Sequence, residues 1–358
     1  MLNKEREHIM KTKSIKFELV LNGHGVVQTD GRDKALGLKN SKSGIFGYQE
    51  NNNITYAKGN FEYSEGKIKK ILKISGDGLR HAIHINSHFA HAPNLLINTA
   101  SRMNHFSSMD SILRGYLSMN TEERKTSAYT ITSAEDKNAL TSLELFSNSS
   151  PKSETSLFSR ETVGDTNYLA TGFVNIEELR FISISDIFGR RAVQDDSAET
   201  FRKGLSKRLG SDVSEPAYYV KGDSIDVPER GIVLSDEQIT KLVSYLFENM
   251  AEINITKSQN GYARTNEIRI KSIEVPTKDY NKGFDLLYSE ATGEFNKEKI
   301  PTEYFNSWTL VDKDVAIQRI QTVENELKES KEQTKIKKAQ EKQQKAAAKS
   351  KKNLEPEE

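Results

Sequence analysis

Ile15, Phe17, Leu19 and Leu21 alternate with Lys16, Glu18 and Asn22, and a period of two predicts a half-buried strand. The run closes at Gly23-His24-Gly25, and Thr29-Asp30-Gly31 adds a turn signal. Gly31 to Glu50 is polar, rich in Gly, Ser and Lys and without a period, so it reads as loop. Phe61 to Ile74 reads as a hairpin broken at Ser64-Glu65-Gly66 and closed by Ser75-Gly76-Asp77-Gly78. From Leu79 to about Phe89 the pattern turns helical, with Leu79, Ala82 and Ile83 on one side. Pro93 lies at or beyond the end of that helix, because the residue before a proline is pushed out of the helical region. Ser107 to Leu117 is a second short helix, with Ser107 or Ser108 as its N-cap.

Residues 142–166 are Ser/Thr-rich, the composition of a long projecting loop or hairpin, and Leu169 to Ile184 returns to strand-like alternation. Residues 190–230 show little periodicity and cluster Arg190, Arg191, Arg202, Lys203, Lys207 and Arg208. Asp236 to Met250 is the clearest helix: Ser235 and Gln238 form a capping box, and Ile239, Leu242, Leu246 and Phe247 make an apolar stripe. Tyr262 to Val275 follows as a strand, with Ile268 and Ile270 alternating against Arg269 and Lys271. The chain is helix-prone beyond Asp312, and from Lys328 it is too rich in Lys, Gln, Ala and Glu to bury a face of its own. The order of elements is strand, inserted loops, helix, long insertion with strands, helix, strand. That order predicts an α+β fold with an RRM-like (ferredoxin-like) β-α-β-β-α-β core carrying large excursions.

Composition narrows the classes of function without choosing one. The 358 residues are 35% hydrophobic and 29% charged, enough for one elaborated domain or two modest ones. There is no cysteine, which excludes disulfides, thiolate nucleophiles and Cys-based zinc sites. No apolar run approaches the roughly 20 residues that span a bilayer. The basic opening leads straight into a strand-like segment, which predicts no signal peptide and a cytoplasmic protein without a membrane partner. The formal net charge of +1 conceals an asymmetry. Lys328 to Lys352 holds ten lysines against Glu329, Glu332 and Glu341, and the last six residues add three acids, which leaves residues 1–327 at −3. Any nucleic-acid site in the body must therefore be a local patch.

Two strings carry candidate chemistry. In Ser75-Gly76-Asp77-Gly78-Leu79-Arg80-His81-Ala82, a Ser/Gly-rich turn opens a helix, and the unpaired N–H groups of such a turn suit phosphate. Arg80 and His81 at the entry would add charge-assisted contacts; an ordinary strand-to-helix turn with a solvated arginine fits the same residues. Phe106-Ser107-Ser108-Met109-Asp110-Ser111-Ile112-Leu113-Arg114-Gly115-Tyr116-Leu117 repeats the arrangement, with hydroxyls at a helix start and Arg114 and Tyr116 following. Tyr116 is placed either to stack on a base or to pack in the core.

These two strings resemble the Ser/Gly-rich, Leu-Lys/Arg helix entries of the RAMP superfamily. Glu123 to Ala134 and Phe158 to Thr166 resemble further segments of its guide-RNA-binding backbone subunits in class 1 CRISPR–Cas effector complexes, most like type IV and variant type I-F. The resemblance runs from about Ile15 to Val275 and lies more in the order of motifs than in any one of them. It implies an RRM-like palm with inserted finger helices and a thumb β-hairpin near 142–168, spanning residues 1–310. A helix-prone segment and flexible basic tail would complete the chain over 311–358. It implies a repeated subunit that polymerises along guide RNA and presents it for pairing with target nucleic acid, beside other copies of itself and other Cas subunits. Carried over by position, the RNA contacts are Ser75, Arg80 and His81 at the first palm helix, and Ser107, Ser108, Arg114 and Tyr116 at the second. Arg124 and Lys125 follow that helix, and Arg160 stands at the base of the thumb. Asp110 is unusual for a phosphate site.

No complete catalytic set and no cofactor motif appear, so the expectation is a binding protein rather than an enzyme. Asp30 and Asp33 fall where some relatives hold a catalytic aspartate, but nothing pairs them with a base or metal set, and they read as turn residues. The rival reading is a histidine-site metallohydrolase. His81, His84, His88 and His91 follow spacings of three, four and three and would stripe one helix face. The nearby carboxylates are only Asp77 and Asp110, so a solvated or RNA-facing stripe is favoured over a metal site. A third reading is a structural protein that assembles without RNA. For the basic tail, non-specific affinity for RNA is favoured over a purely solubilising role.

Overall fold

The computed structural model describes residues 14–30, 54–64, 67–84, 99–118, 121–138, 140–150, 153–185, 190–221, 227–257, 261–274, 286–289, 294–295 and 308–352. The 31–50 loop with Asp33, the segment holding His88, His91 and Pro93, and the last six residues lie outside these.

Strand β1 (Ser14–His24) puts Ile15, Phe17, Leu19 and Leu21 fully inside and Lys16 and Asn22 on the other face, as its period requires. A hairpin, β2 (Gly59–Ser64) and β3 (Lys67–Ile74), pairs with Ser64 opposite Lys67. Among the described residues, helices α1 (Gly76–Ile83), α2 (Thr99–Phe106) and α3 (Met109–Arg114) follow. Then come β4 (Tyr129–Ile131), β5 (Ala134–Asp136), a long antiparallel hairpin of β6 (Thr141–Ser150) and β7 (Ser153–Val163), and β8 (Asp165–Asn175). Helices α4 (Ile176–Arg180), α5 (Ala198–Leu209) and α6 (Asp236–Ala251) lead to β9 (Tyr262–Glu274).

The fold is mixed α+β with antiparallel sheets. In the main sheet β1 lies between β8 and β9, antiparallel to both. The other side of β8 pairs with β4 and β5, and β5 passes the sheet on to β3 and β2. One face of this sheet is covered by helices: Phe247 of α6 meets Phe17 edge-on with ring centroids 5.4 Å apart. Gly172 lies directly opposite Phe17 in the β1–β8 ladder, and a Cβ there would stand 2.1 Å from the Phe17 ring. Gly172→Ala therefore forces a fully buried ring to move and is expected to cost about 1–3 kcal/mol, the usual penalty of overpacking; a denaturant midpoint unchanged from the parent would refute it.

The capping box at Ser235 and Gln238 forms as its spacing predicts. Three expectations are corrected. The first palm helix stops at Ile83, capped by His84, and does not run on to Phe89. The weakly periodic 190–230 region contains α5, whose Ala198, Phe201, Leu205 and Leu209 are buried while its cations occupy the remaining positions. Asp30 is not in a turn but in a two-residue strand, opposite Tyr56.

The chain divides into two compact units, residues 1–215 with 232–306, and 216–231 with 307–358. In the second, Ala217–Lys221 pairs antiparallel with Glu229–Val233 and, on its other edge, with Trp308–Val311. Where composition suggests a flexible tail, the backbone is one helix, α7 (Lys313–Lys352). No Pro or Gly interrupts residues 302–355, and Ala, Lys, Gln and Glu are strong helix formers.

Candidate nucleic-acid interface

Both Ser-rich strings open helices, and their hydroxyls are engaged in doing so. Ser75 caps α1: its Oγ accepts from the Gly78 N–H at 3.2 Å. Gln28 clasps the same residue, its Nε2 donating to Ser75 Oγ at 3.1 Å and its Oε1 accepting from the Ser75 N–H at 2.7 Å. Ser108 caps α3, accepting from the Ser111 N–H at 3.1 Å. Ser107 is fully buried, donates to Met103 O at 2.7 Å and accepts from Arg208 Nη1 at 3.1 Å. Ser107 and Ser108 thus shape the bend between α2 and α3 rather than offering a hydroxyl to solvent.

The tertiary structure brings α1 and α3 together. Arg80 Nη2 donates to the Arg114 carbonyl at 3.1 Å, and the Arg80 guanidinium stands 6.0 Å from the centre of the Tyr129 ring, within cation–π range. Arg114 is half-buried in the last turn of α3, and its guanidinium makes no hydrogen bond or ion pair to another described residue. His81 is half-buried in the last turn of α1. Beneath them runs a polar network. His84 Nδ1 is 2.6 Å from Asp110 Oδ1, His84 Nε2 is 2.8 Å from the Tyr129 hydroxyl, and Tyr245 Oη donates to Asp110 Oδ2 at 3.0 Å. Burial pushes the Tyr129 hydroxyl well above the usual phenol range, against the pull of Arg80 and Arg114, so it remains a neutral partner for His84. One cluster therefore joins α1, α3, β4 and α6.

Two other expected contacts, Tyr116 and Lys125, are placed differently. Tyr116 does not offer its ring to a base: it stacks on Phe106 with centroids 3.9 Å apart and planes 5° apart, and its hydroxyl donates to Ala192 O at 2.9 Å. Lys125 is buried, its Nζ donating to Glu178 O at 2.8 Å with the Glu178 carboxylate 3.8 Å away. Burial lowers its pKa, with Glu178 opposing. Arg124 is exposed, on a two-residue strand paired with Tyr116–Leu117. Arg160 lies in β7 opposite Glu144 of β6 and beside Thr55; its side chain is outside the described residues.

The histidine stripe is corrected as well. His84 faces the interior with its side chain fully buried and both ring nitrogens engaged, because α1 ends there and turns it inward. Among the described residues no group of three or more His, Cys, Asp or Glu side chains is placed to hold a metal.

Sequence reasoning passed over the Asp110–Tyr245 link and the Arg208 clasp on Ser107. The unusual carboxylate of Asp110 was the signal for the first. It also passed over the open face of the main sheet, where Leu169, Phe173 and Tyr262 are exposed. Leu169 and Tyr262, with Asn22, Lys137, Asp165 and Arg264, line an open cavity of about 950 Å³ there. No helix among the described residues is long and apolar enough to cross a membrane.

The class these features define is a mixed α+β protein that gathers helix-borne arginines over a buried polar network. A family model described as "Type I-Fv CRISPR-associated protein Cas7fv-like" matches residues 11–306. The chain belongs to that family, and is a Cas7-type backbone subunit of a class 1 CRISPR–Cas effector complex. Cas7 family members in surveillance complexes bind CRISPR RNA, other Cas subunits and copies of themselves. Two solved structures are similar to this chain. One, a "CRISPR RNA-guided surveillance complex", is 9% identical with a TM-score of 0.34, covering 88% of this chain and 84% of its own. The other, the same kind of complex described as "pre-nicking", is 8% identical with a TM-score of 0.36, covering 88% and 89%. No curated protein matches the chain. The family assignment rests on the sequence match over residues 11–306.

Proposed function

We propose that this subunit holds the guide RNA by its sugar–phosphate backbone, without catalysis, in the cytoplasm. The observation that carries the reading is the convergence of Arg80 and Arg114 from two helices separated in sequence, with the Arg80 guanidinium donating to the Arg114 carbonyl. A backbone binder needs cations in fixed positions and no base-edge readout. Arg80 and Arg114 would be the principal phosphate contacts, joined by His81, Arg124 and Arg160. Ser75, Ser107, Ser108, Tyr116 and Lys125 would act from within, by fixing the helices that carry them.

The RRM-like palm is part of the same proposal. The strand order β9-β1-β8-β4 is antiparallel throughout, with α1 to α3 between β1 and β4 and α4 to α6 between β8 and β9. These are the connections of a β-α-β-β-α-β unit. The hairpin β6–β7, inserted between β5 and β8, would be the thumb.

The test is the salt dependence of guide-RNA binding. Each phosphate contact to a single strand contributes about 0.7 to the slope of log K against log salt. Arg114→Ala is expected to lower the slope by about that amount and to weaken binding alike for guides of different sequence. An unchanged slope would remove Arg114 from the interface. RNA carried through purification is expected at uniform length, whereas shortening on incubation with divalent metal would argue for an enzyme.

A further inference from the structure

Lysines stand at 328, 331, 335, 338, 342, 345, 349 and 352, with spacings that alternate three and four without a break. All lie within α7, which runs as one helix from Lys313 to Lys352. Residues three and four apart share a helix face, so these eight lysines form one stripe, drifting only about 20° per heptad. The stripe is about 36 Å long at 1.5 Å per residue, with a cation about every 5 Å. Lys328 and Lys331 at its start are exposed. Of the glutamates of this stretch, Glu332 and Glu341 stand three or four residues from stripe lysines and flank the row, while Glu329 lies off it.

Such an arrangement works against the helix itself, because like charges at these spacings repel. The two flanking glutamates offset only part of that repulsion, and a merely solubilising helix would be more stable with more of them along the same face. Apart from Ile336 and Ala347, the opposite face holds Glu329, Gln333, Gln340, Gln344 and Lys351, too little apolar surface to seat an amphipathic helix in a membrane. A regular row of cations fits a regular row of anions.

We infer that the lysine stripe of α7 is a second nucleic-acid site, one that grips the phosphates along a duplex. The side-chain inventory selects a duplex over a single strand. No aromatic residue follows Trp308 and no arginine follows Arg319. Single-strand binders add stacking aromatics, and base readout favours arginine forks or amides placed in a groove. A duplex has its bases already stacked inside and presents phosphates outward, so point charges on flexible stems suffice. The inference is independent of the Arg80–Arg114 site, which lies in the other compact unit.

The experiment uses the full-length protein carrying its guide RNA, with fluorescently labelled 30-base-pair duplexes of arbitrary sequence as probe. One variant permutes the stripe at constant composition: Lys338→Gln with Gln340→Lys, Lys342→Gln with Gln344→Lys, and Lys345→Ala with Ala347→Lys. Each exchange carries a lysine to the opposite face and leaves the net charge unchanged. Three lost contacts are expected to lower the salt slope by about 3, at about 0.9 per contact to a duplex, and to weaken binding more than tenfold near physiological salt. A second variant, Lys338→Gln/Lys342→Gln/Lys345→Gln, should show the same fall in slope; circular dichroism reports whether α7 stays helical in each. Stronger binding to DNA duplex or to an RNA–DNA hybrid supports the site and identifies its source. A permuted variant that binds like the parent with its helicity intact, or a parent that prefers single strands or phosphatidylserine vesicles to duplex, overturns it. Arg114→Ala in the same assay is expected to leave the duplex slope unchanged, so failure of the guide-RNA reading and failure of this one are separable.

Discussion

Replacing Asp110 by alanine is expected to destabilise the protein by about 3 kcal/mol, because it removes the acceptor shared by His84 and Tyr245. The His84 side chain is fully buried and that of Asp110 is 14% exposed, so water cannot easily replace what is lost. Hydrogen bonds to a charged group contribute about 1.5–3 kcal/mol each, and stranding a buried partner adds its desolvation. At about 2–4 °C per kcal/mol for domains of a few hundred residues, the melting temperature should fall by about 6–12 °C. Asp110→Asn keeps one carbonyl acceptor and should lose roughly half as much. The opposite view of Asp110, as a misplaced charge in a phosphate site, makes the reverse prediction. On that view Asp110→Ala would melt like the parent and hold RNA more tightly, and that pair of results would refute the network as a structural keystone.

Glu161→Ala is the second large effect. Glu161 lies in β7, at the base of the long hairpin, and its carboxylate pairs with Lys70 of β3 and accepts from the Ala57 N–H at 2.9 Å. The Lys70 and Glu161 side chains are 11% and 9% exposed. Removing one member of a buried pair leaves the other charge uncompensated, typically at a cost of about 3–5 kcal/mol. The consequence should be local as well as global, since Glu161 ties the strand that forms the hairpin to two neighbouring segments. Hydrogen exchange across β6 and β7 is expected to quicken more than across β1 and β8. Glu161→Gln retains an acceptor for Ala57 and should restore part of the protection. Uniform acceleration over the whole sheet would mean that Glu161 holds up the core in general and does not orient the hairpin.

Much of the fold was legible because its elements declare themselves locally. The alternation of Ile15 to Leu21 and the capping box at Ser235 are rules about neighbours two or three residues away, and both were realised. The hairpin around Ser64 to Lys67 follows the same logic. Helix α5 obeys it too, with buried positions at 198, 201, 205 and 209, but Gly204 and a crowd of cations mask the stripe. The candidate site was legible in part. The sequence marks Ser75 and Ser108 as helix-entry residues and puts Arg80 and Arg114 on the helices they open, since capping and charge near a helix end are local.

What each of those residues faces was beyond its reach. Tyr116 is a stacking aromatic or a core aromatic according to whether Phe106 lies 3.9 Å from it. Lys125 is a phosphate ligand or a buried strut according to where Glu178 falls. His84 belongs to a surface stripe or an interior network according to where α1 stops and Asp110 arrives. Each choice turns on contacts between residues from 10 to 53 positions apart, which chain topology supplies and local propensity does not. The sequence by itself determined that two Ser/Gly-rich turns open helices bearing Arg80 and Arg114. Only the tertiary structure decided that those helices meet, because burial of the Leu79, Ile83, Ile112 and Leu113 faces in the common core draws them together.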